Sequence, residues 1–107
     1  MIRAEQIREI LALYRRHGWT LRRVLLTDSA RVALNDLLQE MFGGAQIVTS
    51  SIDAVWFSRA ARPGHETWEL RRLSENPFAL MEVFDEDDDE EVRDETLAEI
   101  EARMKEI

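Results

Sequence analysis

Asp53, Glu69 and Arg71 are the residues of this 107-residue chain whose types and spacing come nearest to a catalytic set. Two carboxylates on neighbouring strands can share a divalent cation, and a residue two positions after the second acid lies on the same strand face as that acid.

The arrangement Asp53…Glu69-Leu70-Arg71 resembles the Asp…Glu-x-Lys signature of the PD-(D/E)xK nucleases over residues 36–73, with Arg71 in place of the lysine. The resemblance implies a metal-dependent phosphodiesterase using Glu40, Asp53 and Glu69. Arginine stays protonated and cannot act as a proton-transfer base. Register adds a second objection. The segments 53–59 and 66–73 flank Arg62-Pro63-Gly64 and read as a β-hairpin whose paired positions sum to about 126. Trp56 then lies opposite Leu70, Ser58 opposite Trp68, and Asp53 opposite Leu73, four rungs from Glu69. At ~3.4 Å per residue the two acids stand roughly 13 Å apart, beyond the reach of one metal ion.

The remaining chemistry is sparse. The chain has no cysteine and two distant histidines, His17 and His65, so thiolate metal sites, disulfides and a cysteine nucleophile are excluded, and no cofactor is expected. Asp85, Asp87 and Asp89 match the first ligand positions of an EF-hand loop. Glu90 then occupies the glycine position and Thr96 the bidentate glutamate position, so a solvated, helix-capping role fits better.

The net charge of −8 divides unevenly. Residues 1–72 hold 11 Arg and 8 acids, giving +3; residues 73–107 hold 3 bases and 14 acids, giving −11. The run Asp85–Glu91 is seven consecutive carboxylates, expected to be solvated and locally extended. The basic body offers Arg15-Arg16, Arg22-Arg23 and Arg71-Arg72 with Trp19 and Trp68 as stacking platforms, a weak nucleic-acid signature that the acidic segment would mask. On a regular strand Arg22 and Arg23 would point to opposite faces.

These residues must be positioned by a short series of elements. Ile7, Ile10, Leu11 and Tyr14 mark one face of a helix over residues 2–17, stopped by Gly18. Residues 19–27 read as a strand, with a helix capped by Thr20 as the alternative; the latter would make a helix-turn-helix exposing Arg31, Asn35 and Gln39. Asp28 or Ser29 caps a helix carrying Ala30, Ala33, Leu34, Leu37, Leu38 and Met41. Ile47 and Val48 suggest a short strand, the hairpin follows, and Phe78–Phe84 adds another strand. Residues 92–107 form the last helix, with Leu97, Ile100, Met104 and Ile107 on one stripe.

The predicted fold is α+β: an antiparallel-rich mixed sheet of four to five strands with about three helices, in the order α-β-α-β-β-β-β-α, the helices on one sheet face. Residues 1–84 form the domain, 85–91 an acidic linker, and 92–107 a helix that docks on the domain or on a partner. An apolar signal core and a membrane-length apolar run are both lacking, which suggests a cytoplasmic chain without membrane association. The functional expectation is a non-catalytic interaction or regulatory module binding a protein partner or a second copy. Its expected surfaces are the outer hairpin face (Phe57, Arg59, Glu69, Arg71) and the terminal stripe (Leu97, Ile100, Met104, Ile107).

Overall fold

In the computed structural model, which describes residues 2–107, four helices and a five-stranded mixed sheet follow one another as α1 (Ala4–Arg16), β1 (Thr20–Leu26), α2 (Asp28–Ala33), α3 (Leu38–Phe42), β2 (Gln46–Thr49), β3 (Ala54–Ala60), β4 (His65–Arg72), β5 (Ala79–Asp85) and α4 (Glu90–Lys105). The α+β class and the approximate element order agree with the sequence expectation. Strand order is β2-β1-β3-β4-β5, with β1 and β2 parallel and every other pair antiparallel.

The hairpin register follows its turn. Trp56 pairs with Leu70, Ser58 with Trp68, and Phe57 with Glu69; Leu73 N–H donates to the Asp53 carbonyl at 2.8 Å, one rung further along. The face assignment differs from expectation. β3 is buried from Ala54 to Ser58 without alternation, because it is a central strand covered on both sides. α1, α2 and α3 pack on one side, where Ile7, Leu11, Ala30, Leu34, Met41 and Phe42 meet Val24, Leu26, Val55 and Phe57. α4 covers the other, where Leu97, Ile100 and Met104 meet Leu25, Trp56, Trp68, Leu70 and Phe84. Helices on one face only is therefore corrected to helices on both.

The helix expected over residues 28–42 is broken in two by a 3-10 turn at Asn35–Leu37. Asn35 and Asp36 are poor helix formers whose side chains compete for backbone groups. The break still leaves Leu34, Met41 and Phe42 all facing the sheet. Its cap is Thr27 rather than Asp28 or Ser29: the Thr27 hydroxyl accepts from Ala30 N–H at 3.1 Å. Residues 20–26 form a strand, so the helix-turn-helix alternative does not arise.

The acidic run is not an extended linker. Asp85 ends β5, and a four-residue turn, Glu86–Asp89, leads straight into α4. The Asp88 carboxylate accepts from Asp85 N–H at 3.0 Å, and Asp89 caps α4 by accepting from Glu91 N–H. The turn stays exposed, so its charges remain solvated while two of them satisfy backbone donors.

Because α4 forms one wall of the second core, its apolar stripe is internal. Ile100→Ala should lower unfolding free energy by about 2–4 kcal/mol, and a chain ending at Glu91 should lose its cooperative urea transition, both followed by circular dichroism.

Candidate functional site

The acids of the nuclease-like set are held apart by separate partners. Asp53 accepts the Thr27 N–H at 2.8 Å and so fixes the β1–α2 corner. Glu40 lies on the surface and pairs with Arg8 at 3.0 Å. Glu69 accepts the Tyr14 hydroxyl, and Arg71 turns back onto the Arg72 carbonyl. Among the described residues no three His, Cys, Asp or Glu side chains gather as a metal site. The structure thus does not assemble Glu40, Asp53, Glu69 and Arg71, for the reason the register gives: Asp53 and Glu69 sit four rungs apart on adjoining strands.

The outer hairpin face is the seat of α1. Phe57 is buried, stacked beneath Tyr14 at 4.1 Å with the rings 12° from parallel. Arg59 donates to the His17 carbonyl at 3.0 Å and lies 4.4 Å above the Trp19 ring, closing the C-terminus of α1 with a cation. A cleft of about 370 Å³ remains between Leu13, Tyr14, His17, Trp19, Arg59 and Glu69. Burial, then the hydrogen bond and negative charge of Glu69, hold the Tyr14 phenol well above its ordinary range, with Arg71 opposing. Sequence reasoning found Arg59, Glu69 and Arg71, and named Trp19 as a platform for a nucleic-acid base rather than for Arg59; it missed Tyr14, which read only as part of the buried face of its helix.

The terminal stripe is divided. Leu97, Ile100 and Met104 are buried against the sheet, whereas Ile107 lies beyond α4, exposed, its carbonyl accepting from Arg72 at 3.1 Å. α4 is registered by Glu101, whose carboxylate accepts the Trp56 indole N–H at 3.0 Å and faces Arg23 at 3.6 Å. A bulge in β1 brings Arg22 and Arg23 to the same face: Leu21 pairs with Phe57 and Arg23 with Trp56, leaving Arg22 as the extra residue. This corrects the expected alternation. Arg22 lies 4.6 Å above Trp68 and donates to Ser58 Oγ at 3.2 Å, while Arg93 approaches the same ring at 5.2 Å. Both indoles suggested as stacking platforms already carry guanidinium groups. His65 meets Asp85 at 2.9 Å, tying the start of β4 to the end of β5.

No family model, curated protein or solved structure matches this chain. No helix among the described residues is long and apolar enough to cross a membrane.

The remaining feature is the sheet edge. β2, at one border, spans only four residues. β5, at the other, spans seven, and Met81 and Val83 are 55 % and 51 % exposed on the α1 side of the sheet, beyond the end of the cover that α1 provides. The hydrogen bonds Glu86 N–H to Gly64 and Arg72 N–H to Phe78 place even-numbered β5 residues in the paired positions. Odd-numbered residues therefore direct their N–H and C=O groups outward. Asp85 is such a residue, and its N–H is taken by Asp88. Ala79, Met81 and Val83 have no such closure among the described residues. Sequence alternation could not find this site, because β5 has apolar residues on both faces and reads as a covered strand.

Tyr14 is the only tyrosine, so phenolate absorbance reports it alone. Because folding raises its pKa, this contribution to stability is complete below about pH 10 and declines as pH rises above that value. Tyr14→Phe should remove the dependence and cost about 1–2 kcal/mol at neutral pH, as read by urea unfolding across pH.

Proposed function

We propose that this protein is a non-catalytic, cytoplasmic interaction module that takes an extended segment of a protein partner along β5 as a sixth strand. The observation that carries this reading is the coincidence of two properties at Met81 and Val83. Their peptide groups point outward from the sheet edge, and their side chains lie half-exposed at the border of the α1 face, where no helix covers them. Main-chain pairing would supply affinity, and alternate side chains would supply choice of partner.

Exposed edges are usually shortened, bulged or covered. β2 is short, and Asp88 closes β5 at Asp85. The interval Ala79–Val83 is left as a window of about three outward-facing peptide units, a length suited to a short linear segment. The cleft beside Tyr14 contributes less to this reading, since its polar groups are engaged with one another.

Proline separates the edge function from the fold. Val83→Pro removes an outward N–H and should retain the folded spectrum, whereas Glu82→Pro removes a rung to Trp68 and should cost about 1–3 kcal/mol or more. A displayed library of random peptides of about ten residues, selected on the wild-type chain, should yield binders that lose affinity for Val83→Pro by about tenfold or more. Binders indifferent to Val83→Pro, or no enrichment, would overturn the reading.

A further inference from the structure

Resting on the β5 reading, we infer that the segment received there is basic, with apolar residues alternating with Lys or Arg. From Glu75 to Glu91 the chain carries nine acids and no base, and β5 lies within this interval. The acids flank the open edge at both ends: Glu75 in the loop before it, and Asp85 to Glu91 after it. Glu75, Glu86 and Asp87 have no side-chain hydrogen bond or ion pair among the described residues, so their charge is available to a ligand.

Register specifies the alternation. On the side away from α4, a sixth strand would place residues beside Ala79, Met81 and Val83, where apolar side chains extend the exposed shelf. On the α4 side, the intervening residue would stand beside Glu82, flanked by Leu80 and Phe84. A Lys or Arg there meets an opposite charge across the new rung. An acidic segment would meet repulsion at the same position and from the turn Glu86–Asp89.

The same charges disfavour a second copy of the chain as occupant. Pairing β5 with β5 would bring two such acidic intervals side by side, and like charges directly across a rung are destabilising. The basic segment is therefore the occupant to which the edge is complementary, and encounter should be accelerated by the field around it.

The test uses the full chain, isotopically labelled, titrated with three capped peptides of about ten residues in which valine alternates with lysine, serine or glutamate. The lysine peptide should give saturable shifts at the Ala79, Met81 and Val83 amides. Its affinity should fall about tenfold or more between about 0.05 M and about 0.5 M salt, and comparably in Glu75→Gln/Glu86→Gln/Asp87→Asn. Equal binding of the serine peptide at β5 would overturn the charge inference and leave the edge reading standing. Shifts confined to the acidic turn and α4 would also overturn it. Concentration-dependent broadening at β5 without peptide would identify a second copy as occupant, against the inference. Silence at β5 with all three peptides would overturn both proposals.

Discussion

A sheet whose central strands are apolar on both faces has to be covered twice, and this requirement organises the molecule. Val55 and Phe57 project to one side of β3, Trp56 and Ala54 to the other, and all four are excluded from water. Burial of side chains of this size is worth roughly 1.5–3 kcal/mol each for the large ones, so neither face can be left open at the centre. α1 to α3 meet the demand on one side and α4 on the other. The chain then has no helix left for the β4–β5 end of the first side. Exposure of Met81 and Val83 follows from where the helices run out, at a strand that is also the sheet's border.

Polar groups reinforce this layering at a few positions. Glu101 joins an indole and a guanidinium under α4, and Asp53 holds the corner from which α2 departs. Tyr14 and Arg59 do the same for the C-terminal end of α1, one through Glu69 and one through the carbonyl of His17. These contacts use side chains that, read as a list, look like acids and bases for catalysis. Their separation by the register leaves them as fasteners between layers, and those made by Tyr14, Asp53 and Glu101 satisfy groups that partial burial would otherwise strand.

Much of this was legible in the sequence where local chemistry decides. Pro63-Gly64 set the hairpin register to the residue, and Gly18 marked the end of α1, where its φ of 86° suits glycine. What was not legible depended on neighbours far along the chain. Val55 and Phe57 stand opposite Arg71 and Glu69 and so read as a partly exposed face; only α1, packed there from the far end of the chain, buries them. The acidic run reads as a tether by its charge; its four-residue turn is set by Asp88 and Asp89 finding backbone donors. The site itself was displaced for the same reason. The hairpin face chosen from sequence is occupied by α1, and the open surface lies one strand further out.

The bulge at Arg22 has a consequence for how chain length and fold are related. Elsewhere in the sheet, inserting or removing one residue would exchange the two faces of a strand and expose its core side chains. At Arg22 the extra residue is already absorbed between Leu21 opposite Phe57 and Arg23 opposite Trp56. A chain lacking it would pass from one rung to the next with both flanking patterns intact. Position 22 is thus a slack point in an otherwise length-intolerant strand, the place where this architecture can differ by one residue and remain itself.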